Sequence, residues 1–125
     1  MPIYLDHNAT SPPRPEALAA ALPLLTEGWA NPASTHAMAR RPAAAVEGAR
    51  RQVAGWAAAR PKDVIFTSGA TEADHLAIRG AAPPGGRILV SAIEHPAVLA
   101  PALARGAERI PVTPDGVVDL SLIHI

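Results

Sequence analysis

The sequence contains no cysteine, so this chain has neither disulfides nor thiol chemistry of its own. It has one lysine, Lys62. Aromatic residues make up only 3% of the chain, which leaves little surface for stacking nucleic-acid bases. Charge of one sign is missing too. Eleven Lys and Arg balance eleven Asp and Glu, and the net charge of +0 carries no nucleic-acid footprint. The basic pairs Arg40-Arg41 and Arg50-Arg51 read as helix surface. No apolar run is long enough to cross a membrane. The start, Met1-Pro2-Ile3-Tyr4-Leu5-Asp6, lacks the basic opening and apolar run of a signal peptide. A soluble cytoplasmic protein is expected, with no nucleic-acid or membrane partner. Two phosphate-binding patterns are also absent: no Gly-Lys-Ser/Thr follows Gly69, and there is no G-x-G-x-x-G.

What is present suffices for a core: 49% of 125 residues are hydrophobic, compatible with one small domain. The most informative stretch is Val64-Ile65-Phe66-Thr67-Ser68-Gly69-Ala70-Thr71-Glu72. Its three bulky apolar residues predict a buried strand, Thr67-Ser68-Gly69 a turn, and residues 70–82 a helix with Ala70, Leu76 and Ala77 inward. A strand that turns through a small glycine loop into a helix exposes free N–H groups at the helix start. Those groups and the helix dipole suit an anion, most often a phosphate. Thr71 adds a hydroxyl there. An ordinary capped helix, with Thr71 and Asp74 as the capping box, explains the same residues equally well.

Elsewhere the order of elements is regular. Leu18, Ala21, Leu22 and Leu25 are spaced as one helix face, which predicts a helix over residues 15–27, with Pro23 inside it and Gly28 ending it. Residues 29–36 read as a loop. A second helix is predicted from about Pro42, with Val46, Ala49, Val53 and Trp56 as its buried stripe. Residues 87–91 and 109–112 read as strands around a helix that follows Glu94-His95-Pro96 and stops at Gly106. From residue 63 the order is strand, helix, strand, helix, strand. That alternation predicts an α/β fold with a mostly parallel sheet and right-handed crossover helices. Ligands in such sheets lie at the carboxyl ends of the strands, where loops 67–71 and 92–96 fall.

Three histidines follow an acid directly: Asp6-His7, Asp74-His75 and Glu94-His95. Adjacent side chains point apart, and no His-Glu-x-x-His spacing occurs, so no metal site is expected. His75 falls in mid-helix and reads as a surface or packing residue. His95, at the end of a strand beside the phosphate-type turn, has the best context, although a simple helix-start histidine explains it as well.

Four motifs in order now carry a family resemblance: Tyr4-Leu5-Asp6-His7-Asn8-Ala9-Thr10-Ser11-Pro12, Asn31-Pro32-Ala33-Ser34-Thr35-His36, Phe66-Thr67-Ser68-Gly69-Ala70-Thr71-Glu72-Ala73-Asp74, and Glu94-His95. Together they resemble the N-terminal part of cysteine desulfurases, class V aminotransferase-like enzymes that use pyridoxal 5′-phosphate. The resemblance implies the first part of the large domain of a fold-type I pyridoxal-phosphate transferase. It implies that Ala70 and Thr71 bind the cofactor phosphate. It also implies that His95 stacks on the pyridine ring and assists proton transfer. Residues 7–10 and 31–36 would lie near the substrate entrance. His75 stands where relatives often carry Asn, and Ala39 where many carry Gly.

The same resemblance marks what this chain does not carry. Such enzymes need a lysine for the Schiff base, an Asp on the pyridine nitrogen and, for desulfuration, a cysteine nucleophile. Lys62 precedes its strand, at the wrong edge of a parallel sheet. The expectation is an N-terminal fragment over residues 1–119, inactive alone, with residues 120–125 as a non-native tail; a natural final strand is the alternative for that tail. The parent is expected to be a cytoplasmic homodimer. It would convert L-cysteine to L-alanine and pass sulfur to an acceptor such as an iron–sulfur scaffold protein. The rivals are another class V enzyme, such as a selenocysteine lyase or aminotransferase, and a non-catalytic dimerisation fragment.

Overall fold

A computed structural model describes residues 2–123 of the chain. They form two compact units, Met1–Ile65 and Phe66–Ile125.

In the first unit, helix α1 (Pro15–Thr26) starts on a proline, whose missing N–H is not needed in a first turn. Pro23 lies inside α1, and the Glu27 and Gly28 amides both close on its carbonyl, at 3.0 and 3.1 Å. A short 3₁₀ turn, Ala37–Ala39, leads into helix α2 (Arg40–Trp56). That helix begins two residues before the predicted start, and Pro42 sits buried in its first turn.

The predicted faces of both helices are corrected. Leu18, Leu22 and Leu25 of α1 are 50% exposed or more, and Trp56 of α2 is 89% exposed. The helices instead face each other across a groove of about 460 Å³ lined by Ala17, Ala20, Ala21 and Leu24 on one side and Ala45, Gly48, Ala49 and Gln52 on the other. Each groove set has i, i+3, i+4, i+7 spacing, and Ala21 and Ala49 of the predicted stripes belong to it. Periodicity alone does not choose between adjacent stripes, and the groove is lined mostly by the smaller side chains. Helix α2 ends with Ala58 in the left-handed region, φ 50°. The Ala59 amide donates to the Ala54 carbonyl at 2.9 Å, and the Ala58 amide to Gly55 at 3.4 Å, the bonds of a Schellman motif.

Residues 64–66 do not form the predicted buried strand. Val64 is extended, but Ile65 is 73% exposed and Phe66 47%. A strand needs a neighbour to pair its backbone and cover its side chains. Among the described residues, the sheet consists of β1 (Leu89–Ser91) and β2 (Glu108–Ile110). The Val64 carbonyl accepts a hydrogen bond from the Arg50 guanidinium.

In the second unit, helix α3 (Ala70–Ala81) precedes β1, and helix α4 (Pro96–Ala104) connects β1 to β2. The two strands are parallel, with Leu89 opposite Glu108, Val90 opposite Arg109 and Ser91 opposite Ile110. This is the crossover unit that the alternation predicts. The Arg87 guanidinium bridges from the start of β1 to both carboxylate oxygens of Glu108 at 2.9 Å. Helix α3 packs against α4. Its half-buried residues are Asp74, His75 and Ile78 rather than Ala70, Leu76 and Ala77, and Leu76 is 50% exposed. The small core of this unit holds Val90, Ala97, Ala102 and Ile110. Gly106, at φ 77°, ends α4 as expected. Residues 113–116 turn the chain, and Val112 then bridges antiparallel to Val118. Leu120–Ile123 is a 3₁₀ turn rather than a final strand; His124 and Ile125 lie outside the described residues.

Candidate functional site: two helix starts in the second unit

Helix α3 begins at Gly69 with no side-chain cap, so the Thr71–Asp74 capping box does not form. Ala70 and Thr71 occupy the exposed first turn, where amides have no intrahelical acceptor. A Cβ placed on Gly69 would meet nothing within 4 Å, so the turn is open to a ligand. The Thr67 hydroxyl donates to the Gly69 carbonyl at 3.0 Å and pins the turn. Glu72 reaches back over it: Oε2 accepts from both the Ser68 amide and the Ser68 hydroxyl, each at 2.7 Å. Those two donors, the amide first, hold the Glu72 carboxyl below the ordinary carboxylate range.

His95 caps α4. Its Nδ1 accepts from the Ala97 amide at 3.1 Å, because an amide N–H can only donate. Nδ1 is therefore unprotonated, and the ring's proton sits on Nε2, the edge not used by the cap.

The helices that carry these two starts pack against each other. Arg105, just past the end of α4, hydrogen-bonds carbonyls in the last turn of α3, so the two helix ends meet. Ala70 and Thr71 thus open α3, and His95 opens α4 after the carboxyl end of β1, all within the second unit.

The remaining candidates fall in the first unit. Tyr4, His7, Thr10, Ser11 and Pro12 line a cavity of about 510 Å³. Tyr4 and His7 meet edge to face at 4.9 Å, and His7 Nδ1 lies 3.2 Å from the Ser11 hydroxyl. Asn31 accepts from the Ala33 amide at 2.9 Å in a side-chain turn, which accounts locally for the Asn-Pro motif. Lys62 sits in the 3₁₀ turn Pro61–Asp63. Among the described residues, no group of three or more His, Cys, Asp or Glu is placed to hold a metal, and no helix is long and apolar enough to cross a membrane. Sequence reasoning passed over Glu72 and Arg105. The Ser68–Glu72 spacing of four was the available sign of the first; a cation just after an apolar helix, before Gly106, was that of the second.

Parallel strands joined through a helix, as β1, α4 and β2 are, form a layout that binds ligands beyond the carboxyl ends of the strands. The sequence profile described as Aminotransferase class-V matches residues 3–124, and the chain belongs to that family. A cysteine desulfurase from Frankia sp. (strain EuIK1) is 52% identical over 94% of this chain, and one from Cereibacter sphaeroides is 48% identical over 94%. The mitochondrial cysteine desulfurase of Drosophila melanogaster is 42% identical over 98%. Among solved structures, a NifS-like protein superposes with a TM-score of 0.83 at 29% identity, over 98% of this chain. The fold is accordingly the N-terminal part of the fold-type I large domain. The chain spans about a third of the curated relatives it matches, 32% of the Frankia protein and 29% of the Drosophila one.

Proposed function

We propose that the whole protein carrying this chain is a pyridoxal 5′-phosphate-dependent cysteine desulfurase, and that this chain supplies its phosphate cradle and ring-stacking histidine. The observation that supports the reading is the pairing of an open helix start at Ala70 and Thr71 with His95 at the neighbouring start. The residues fit the cofactor in part. First-turn amides and the Thr71 hydroxyl suit its dianionic phosphate. The His95 ring, fixed by its Nδ1 bond, offers a flat face and an Nε2 proton. The one lysine, Lys62, lies in the 3₁₀ turn Pro61–Asp63 of the first unit, and we assign the covalent anchor to another part of the protein.

When bound, pyridoxal phosphate supplies an electron sink beside the substrate's amino group. In the overall reaction, L-cysteine and an enzyme thiol give L-alanine and an enzyme persulfide, so the carbon–sulfur bond breaks as a sulfur–sulfur bond forms. With no cysteine, this chain cannot accept that sulfur and is inactive by itself. The acceptor thiol and the cofactor lysine belong to other parts of the protein. A homodimer, located in the cytoplasm, that passes sulfur to an iron–sulfur scaffold protein completes the reading.

The test is a pyridoxal phosphate titration of the full-length protein, followed by alanine release from L-cysteine. Thr71→Val should weaken cofactor binding about tenfold, the worth of one hydrogen bond to a charged group. Unchanged affinity in that variant would sink the phosphate assignment. Release of alanine from L-selenocysteine alone would make the enzyme a lyase of another class V type. Failure to bind the cofactor at all would leave a non-catalytic, dimer-forming role.

A further inference from the structure

We infer that Arg105 is a positioning residue for the proposed cofactor site, acting from the opposite end of the two helices that carry Thr71 and His95. The inference rests on the reading above. Arg105 stands at the C-cap of α4, where its own amide closes the helix on the Ala102 carbonyl at 3.0 Å. Its half-buried side chain then crosses to α3. Nη1 donates to the Ile78 carbonyl at 2.8 Å and the Arg79 carbonyl at 3.1 Å, and Nη2 to Ala82 at 3.2 Å. The Arg79 and Ala82 carbonyls belong to the last four of the helix, which have no intrahelical donor, and the end they share is the negative end of its dipole. One arginine thus terminates both helices at once, by its backbone amide on α4 and by its guanidinium on α3.

Three properties make this more than surface decoration. The planar fork spans three carbonyls with fixed spacing, which a flexible ammonium cannot copy. Its targets are backbone atoms, so what it fixes is the placement of the helix and not of one side chain. Helices are stiff over the 12 residues of α3 and the 9 of α4, so an angular error at one end is carried to the other. Arg105 therefore sets how the Thr71 hydroxyl and the His95 ring stand relative to one another, without touching either. Displacements of about 1 Å matter greatly for groups that must address one bound molecule together.

The experiment uses the full-length protein with Arg105→Met and Arg105→Lys, and Val90→Ala as a control that weakens the same unit through its sheet. Two readouts are taken: amide hydrogen exchange of the cofactor-free protein at residues 73–77 and 98–100, and pyridoxal phosphate affinity. Arg105→Met should speed exchange at both helix starts about tenfold and weaken the cofactor by a similar factor. Arg105→Lys should fall between it and the native protein, which also covers a failure of the Met variant to fold. Val90→Ala should leave affinity unchanged. The inference is overturned if Arg105→Met loosens only the last turn of α3 while both helix starts and the affinity stay native. It is overturned equally if Val90→Ala produces the same changes. Should the native protein bind no pyridoxal phosphate, the proposed function falls while the exchange readout still decides whether Arg105 sets the helix starts.

Discussion

Two helices in different units end in the same way on different residues. Helix α2 closes with Ala59 bonded to Ala54 and Ala58 bonded to Gly55; α4 closes with Ala107 bonded to Ala102 and Gly106 bonded to Leu103. Both Ala54 and Ala102 are only 1% exposed. The left-handed residue between these bonds is Ala58 at φ 50° in the first unit and Gly106 at φ 77° in the second. The motif is therefore dictated by the need to bury the alanine and reverse the chain, and not by the glycine that usually marks it. Where glycine is present the turn is unstrained; where alanine replaces it, the Cβ crowds the following carbonyl.

The comparison breaks most sharply at the buried alanines. Ala102→Leu should destabilise by about 3 kcal/mol, and Ala54→Leu by a similar amount, because neither site has room for extra methylenes. Urea unfolding of the full-length protein measures both. A loss at one site alone would mean that the two ends are less alike than their hydrogen bonds. Next in size is Gly106→Val. No atom lies within 4 Å of a Cβ there, so the cost is conformational, about 2 kcal/mol for a β-branched residue at positive φ. The reverse change in the first unit, Ala58→Gly, should stabilise by about 0.5 kcal/mol, since the strain relieved slightly exceeds the added freedom of the unfolded chain. A thermal midpoint that falls instead would show that Ala58 is not strained.

The smallest effect concerns pH. Glu72 is held below its ordinary range by the Ser68 amide and hydroxyl. A carboxyl depressed in the folded state contributes stability that is present above its unfolded value and lost as pH falls through the folded value. Acid should therefore loosen the turn before α3. Glu72→Gln should flatten that dependence in hydrogen exchange at residues 73–77, and an unchanged acid profile would discount the contact.

Helix ends with proline or glycine were legible in the sequence: Pro15, Gly28 and Gly106 all mark boundaries in the structure. The end of α2 was not, because alanine gives no sign of a positive φ. The helix faces were misread where two overlapping stripes compete, as with Leu18, Ala21, Leu22 and Leu25 against Ala17, Ala20, Ala21 and Leu24, which share Ala21. Residues 64–66 have strand composition, but strand formation depends on neighbours that composition does not record. The helix starts themselves were legible: Ala70 and Thr71 open α3 and His95 caps α4, as the turn residues before them suggest. Glu72 and Arg105 escaped because their partners are backbone and hydroxyl groups whose positions exist only once the chain is folded.

The Nδ1 bond of His95 makes one ring serve two masters. One edge of the imidazole closes the first turn of α4, and the other edge is left to face outward. The ring cannot swing toward a ligand without letting go of the Ala97 amide, so its orientation is set by the backbone at residues 95–97 and not by its own rotamer alone.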